Sequence, residues 1–164
     1  MKSLTTIVVA VILSAAIFHN VISDERPFGI PEEAEFVKVD RVIDGDTIVL
    51  MDRTRIRLHG IDAPEPDQLY GPMATAALDH MVAHSVYLIE VDTDRYGRTV
   101  GQLYHSTEGY DINASMTCAG HAWWYERYAP DSGLLEGCQE EAQDASKGLW
   151  ASNDPMPPWK WRRR

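Results

Sequence analysis

Positive charge is scarce in this sequence: 15 Lys and Arg stand against 25 Asp and Glu in 164 residues, a net charge of −10. Such a body repels polyanions at long range, which excludes coating of duplex DNA through many phosphate contacts and counterion release. Cysteine is nearly absent. Cys118 and Cys138 are an even pair, either one disulfide closing a loop of about 20 residues or two unpaired thiols on separate helices. His80 and His84 stand four apart but have no Glu between them and no evident third ligand, so they read as surface histidines rather than a zinc site. No internal repeat occurs, and one apolar run, Leu4 to Phe18, breaks the mixed patterning. As a helix that run reaches about 22 Å, short of a hydrocarbon core of about 30 Å.

What is present around that run has the three parts of a secretory signal. Lys2 precedes it, and His19-Asn20-Val21-Ile22-Ser23 follows it, with Val21 and Ser23 placed for cleavage before Asp24. Residues 1–23 are therefore expected to be a removed leader, giving a secreted or periplasmic protein. The alternative is an N-terminal anchor with the chain facing outward. Removing the leader takes one of the 15 basic residues and no acid, leaving 14 against 25 and a net charge of −11. The same oxidising compartment favours pairing of Cys118 with Cys138. The 45 % hydrophobic content suits one domain with a real core.

Residues 24–34, with Pro27, Gly29 and Pro31, read as a flexible lead-in. Glu35 to Ile43 and Asp46 to Met51 suggest a hairpin about Asp44-Gly45, and Arg53 to Gly60 alternates as a third strand. Pro72 to His84 carries Met73, Ala76, Ala77, Met81 and Val82 at helical spacing. Ser85 to Thr93 reads as a buried strand, Arg98 to Tyr104 as another, and Ile112 to Ala119 and Leu134 to Lys147 as helices, the last stopped by Gly148. Patterning alone gives α+β with five strands and about three helices, an order compatible with a five-stranded OB barrel. Residues 151–164 form a Pro-, Trp- and Arg-rich tail, read either as a proline-stiffened segment packed by one Trp or as an extra contact for nucleic acid.

Chemistry concentrates in three short segments: Ile43-Asp44-Gly45-Asp46-Thr47, Ile56 through Glu65, and Asp94-Arg95-Tyr96-Gly97-Arg98. Asp46 and Asp62 are hard oxygen donors suited to Ca²⁺, Glu65 is a spare base, and Arg57 and Arg98 are planar forks that match phosphate oxygens. Each segment taken singly also reads as turn chemistry, Asp44-Gly45 as a hairpin turn and Asp62-Ala63-Pro64-Glu65 as an Asx turn or helix cap. Turns require Gly45, Pro64 and Gly97. They do not require an arginine five residues before Asp62 and another after a Tyr-Gly.

Across Glu35 to Trp150 the chain resembles the staphylococcal nuclease-like, or thermonuclease, family. The resemblance places Asp46 and Asp62 on its Ca²⁺ ligands, with the backbone carbonyl of Ala63 as a third, and Glu65 on its general base. Arg57 and Arg98 fall on its two phosphate-binding catalytic arginines. Arg95 and Tyr96 lie where the family binds a terminal phosphate, and Tyr128 on a nucleotide-contacting tyrosine. A second family tyrosine is Glu126 here. What the resemblance implies is an OB barrel over residues 35–150 and a monomeric, Ca²⁺-dependent endonuclease acting on DNA and RNA and leaving 3′-phosphates. The acidic body adds an expectation of single-stranded substrate, gripped locally by Arg57, Arg95, Arg98 and the ion. Two readings compete, a catalytically weak OB-type nucleic-acid-binding module and a secreted Ca²⁺-binding structural protein. The latter leaves Arg57, Arg98 and Glu65 without a task.

Overall fold

The computed structural model describes residues 26–164; the expected leader and its cleavage point lie outside the described residues. Strand β1 (Glu35–Asp44) turns into β2 (Thr47–Leu50), which pairs antiparallel with β3 (Arg55–Leu58). After the short β4 (Ile61–Asp62) and helix α1 (Gly71–Val82), β5 (Ser85–Thr93) and β6 (Thr99–His105) form a second hairpin. β5 pairs with β1, and β6 runs parallel to β3, closing a five-stranded barrel in the order β1-β2-β3-β6-β5. Register shifts in β1 and β5 supply the bends that closure of so small a sheet demands. This is the OB-type barrel the strand order suggested.

The core fills from both the barrel and its helices. Ile48, Ile56, Leu58 and Leu103 meet Leu78 and Val82 of α1 and Ile112 and Met116 of α2 (Ile112–Cys118). α1 thus buries Gly71, Ala74, Leu78 and Val82, the i, i+3, i+7, i+11 row, whereas Met73 and Ala76, expected on the inner face, are exposed. β5 is likewise buried only from Val86 to Leu88; Glu90 to Thr93 stand in solvent as the strand runs out toward the next turn. The described part of the expected lead-in is seated on the barrel, where Ile30 and Ala34 pack with Tyr87.

Where β3 and β6 part, Asn113 joins them to α2. Its fully buried amide donates to the carbonyls of His59 (3.0 Å) and Gly101 (3.1 Å) and accepts from the Leu103 N–H (3.1 Å). The Gly101 carbonyl also takes the His59 N–H at 2.8 Å, so the one amide ties both strands and the helix through backbone groups that burial requires to be paired. The Cys118–Cys138 disulfide links α2 to α3 (Gly133–Asp144). A 3₁₀ turn (Gly148–Ala151) leads into the tail, which holds a helix that the sequence did not announce, α4 (Pro158–Trp161). Both tail tryptophans are engaged, not one. Trp159 stacks on Tyr125 with ring centroids 5.1 Å apart, and Trp161 Nε1 donates to Asp67 at 2.9 Å.

Candidate active site

The β1–β2 turn places the first carboxylate. Its two central residues are Gly45 and Asp46, one position later than the Asp44-Gly45 turn expected from sequence. Gly45 is there for space: a Cβ would come within 2.6 Å of the Ala63 Cβ and 2.7 Å of the Ala74 Cβ. That close approach seats Asp46 against the β4 strand. Asp46 Oδ2 accepts the Ala63 N–H at 2.7 Å, and Oδ1 accepts from the Thr47 hydroxyl at 3.1 Å.

Arg57 on β3 then reaches both carboxylates with one fork. Nη1 lies 3.0 Å from Asp46 Oδ2 and Nη2 2.8 Å from Asp62 Oδ1. Asp62 is fully buried on β4, held in place by the pairing of that strand with Trp123–Trp124 (β7). A loop from Glu65 to Gly71 returns on itself, with the Gln68 N–H on the Glu65 carbonyl at 2.8 Å. Gly71 packs so tightly under it that a Cβ would sit 1.9 Å from that carbonyl oxygen. This loop sets Glu65 at the rim of the same site, partly exposed.

Of the residues expected from sequence, Asp46, Arg57, Asp62, Ala63 and Glu65 come together. Arg98 and Arg95, with Tyr96 and Tyr128, line the cleft that leads to them. Arg98 does not contact the carboxylates. Its Nε donates to Asp94 at 2.7 Å, and Asp94 also accepts the Arg98 and Tyr96 backbone N–H groups, closing the β5–β6 turn. Against the burial that would raise it, these hydrogen bonds hold the Asp94 carboxyl below its ordinary pKa. Arg95 lies over the exposed Tyr96 ring, 4.8 Å from its centroid, and Tyr128, 60 % exposed, packs edge-to-face with Tyr125 and carries the Arg127 guanidinium 5.8 Å from its ring centroid.

Two residues of the site went unread in the sequence. Asp44, taken for turn chemistry, is a fourth carboxylate; its Oδ1 accepts the Asp46 N–H at 3.1 Å. Burial, reinforced by the neighbouring Asp46, raises its pKa to about 7. The other is Arg162, just beyond α4, whose fork grips Asp62: Nη2 to Oδ2 at 2.7 Å and Nη1 to Oδ1 at 3.2 Å. Nη1 also donates to Glu65 Oε1. Burial pushes the Asp62 pKa up, the Arg162 hydrogen bonds pull it back, and the net direction is upward.

The raised Asp44 pKa has a stability signature. A carboxyl whose folded pKa exceeds its unfolded value stabilises the fold fully below the unfolded value, near pH 4, and loses that contribution as pH climbs through about 7. Asp44→Asn keeps the acceptor for the Asp46 N–H and removes the charge. In EDTA at pH 8 the variant is expected to melt above the parent by roughly ten degrees, on the order of a few kcal/mol, and at pH 4 to melt with it. Coincident melting at both pH values would mean that Asp44 ionises as an ordinary surface acid.

The donor set suits a hard divalent cation. Asp46 and Asp62 face a common point, now spanned by Arg57, and both supply carboxylate oxygen. Among the described residues no three His, Cys, Asp or Glu side chains are placed to hold one ion together, so backbone oxygen and water would have to complete the coordination.

A five-stranded OB barrel with two carboxylates bridged by an arginine at one end of the β2–β3 pair defines a nuclease-like domain. The family model described as "Staphylococcal nuclease homologue" matches residues 55–152, and the chain belongs to that family. It is similar to an uncharacterized endonuclease of Escherichia coli O157:H7, 46 % identical over 131 residues covering 77 % of this chain and 84 % of the relative. It is also similar to a micrococcal nuclease of Shigella flexneri, 40 % identical over 147 residues covering 82 % and 84 %. Protein ParB of Escherichia coli is 42 % identical over 139 residues covering 77 % and 78 %.

Proposed function

We propose that this protein is a secreted, Ca²⁺-dependent nuclease that hydrolyses phosphodiester bonds in DNA and RNA. The observation that carries the reading is Arg57, one partly buried guanidinium bridging Asp46 and Asp62 beside Glu65. Phosphodiester hydrolysis develops extra negative charge on phosphorus oxygens and needs a positioned water. Asp46 and Asp62, with the Ala63 carbonyl, are the residues that hold the cation. When bound, that ion supplies Lewis-acid stabilisation of the phosphate oxygen. Glu65, at the rim and not needed as a ligand, orients the water and takes its proton. Arg57 and Arg98 clamp the equatorial oxygens with forks that a lysine cannot reproduce.

Outside the reaction centre, Arg95 and Tyr96 on the β5–β6 turn suit a terminal phosphate, and the exposed ring of Tyr128 suits a base. By its likeness to the family the reaction releases the 5′ oxygen and leaves 3′-phosphates. The excess of acids over bases favours a few nucleotides of single strand over long duplex. Export is supported by the apolar leader and by the Cys118–Cys138 bridge, which belong to one oxidising compartment.

The test is a zymogram on heat-denatured DNA and on RNA. Cleavage is expected with Ca²⁺ and silence in EGTA, with duplex DNA cut more slowly. Undiminished activity in EGTA would remove the metal assignment. Retention of single-stranded DNA in a gel-shift assay without cleavage under any divalent ion would favour the binding-module reading instead.

A further inference from the structure

We propose that Arg162 is a tethered occupant of the catalytic position, a cation carried on the chain's own C-terminal helix that the divalent ion and the attacking water must displace. The proposal rests on the nuclease reading of the site and adds a regulatory contact to it.

The placement of one atom carries the argument. Arg162 Nη1 donates both to Asp62 Oδ1 (3.2 Å) and to Glu65 Oε1, so a single nitrogen sits between the carboxylate that would hold the ion and the one that would deprotonate the water. A water activated by Glu65 needs that place. The second nitrogen, Nη2, takes Asp62 Oδ2 at 2.7 Å, and Arg57 already holds Oδ1, so both oxygens of Asp62 are engaged by guanidinium. A cation entering beside them meets like charge.

The arginine is held there by the tail's own anchors. Gln68, 7 % exposed, accepts the Glu65 N–H through Oε1 at 2.8 Å and donates from Nε2 to the Met156 carbonyl at 3.0 Å, tying the tail to the loop that carries Glu65. Trp159 stacks on Tyr125 and meets the edge of Trp123 with centroids 5.6 Å apart. Trp161 Nε1 donates to Asp67 in the same loop. These contacts at Met156, Trp159 and Trp161, all just before Arg162 in the chain, aim the end of α4 at the carboxylates.

When the competent state is a fraction of the population, the apparent affinity of its ligand falls by that fraction. A docked Arg162 in nine molecules of ten weakens cation binding about tenfold. Isothermal titration of the full, nucleic-acid-free chain with CaCl₂ measures this directly. Arg162→Gln is expected to bind Ca²⁺ about tenfold more tightly or better than the parent, and Arg162→Lys to fall between them. Trp161→Phe, which removes the hydrogen bond to Asp67 and loosens α4 without touching Asp62 or Glu65, moves the affinity in the same direction by less and guards against a folding artefact at position 162. Amide exchange of residues 160–164 in the parent should accelerate on adding Ca²⁺.

Equal or weaker Ca²⁺ binding by Arg162→Gln overturns the proposal, as does tail exchange indifferent to Ca²⁺. Weaker binding together with a reduced kcat would make Arg162 a positioning residue for the reaction. If parent and variant bind Ca²⁺ equally and both cleave nucleic acid, the Arg162 proposal alone fails; if neither binds nor cleaves, the nuclease reading has failed first.

Discussion

Arg57→Lys is expected to lower kcat/KM on denatured DNA by a hundredfold to a thousandfold, with the loss mainly in kcat. The charge survives but the fork does not, and removal of one preorganised donor to a developing oxyanion costs about 3–4 kcal/mol. The structure adds a second expectation. Because the same fork bridges Asp46 and Asp62, a lysine leaves one of two nearly buried carboxylates without its partner, and the metal-free variant should unfold at lower urea than the parent. Rates measured at saturating Ca²⁺ and normalised to the folded fraction by circular dichroism separate the two effects. A loss under tenfold would reduce Arg57 to a structural bridge.

Glu65→Gln should silence turnover by two to four orders of magnitude while leaving Ca²⁺ binding in place. The carboxamide cannot take a proton from water, but its oxygen still accepts from Arg162, and the Gln68 contact to the Glu65 backbone is untouched. Asp46→Asn is the reference, since Asp46 is the less exposed carboxylate and contacts Arg57 and the Ala63 N–H directly. Calcium titrations of the two variants side by side decide the role. If Glu65→Gln loses as much Ca²⁺ affinity as Asp46→Asn, Glu65 is a ligand and the base lies elsewhere.

The barrel was legible because its strands show as short alternating or apolar runs and its turns carry a glycine or Asx residue, information that lies within a few positions of where it acts. The core site was legible for a related reason. Asp46, Arg57, Asp62 and Glu65 fall within 20 consecutive positions on one turn, two strands and one loop, so their spacing reports their geometry. The errors came where long-range packing decides. α1 presents Ala74 and Leu78 to the barrel rather than Met73 and Ala76, a rotation fixed by the fit of Ala74 against Gly45. Asp44 looked like turn chemistry because its ionisation depends on burial, and no local pattern encodes burial. Arg162 was out of reach for the plainest reason: 100 positions separate it from Asp62, and it is one of three adjacent arginines with nothing local to say which turns inward.

The parallel pairing of β3 with β6 sets Ile56 opposite Thr99, Arg57 opposite Val100 and Leu58 opposite Gly101. Arg98 therefore starts one residue before the strand that lies directly beside Arg57. The pairing of β3 with β6 therefore fixes the spacing of the backbones from which the two guanidiniums extend. At Gly101 a Cβ would meet Leu88 Cδ1 at 2.4 Å and Ile56 Cγ2 at 3.1 Å, so a methyl there presses on buried side chains of both neighbouring strands. The register that carries both arginines is thus tied to apolar packing inside the barrel, around one buried glycine.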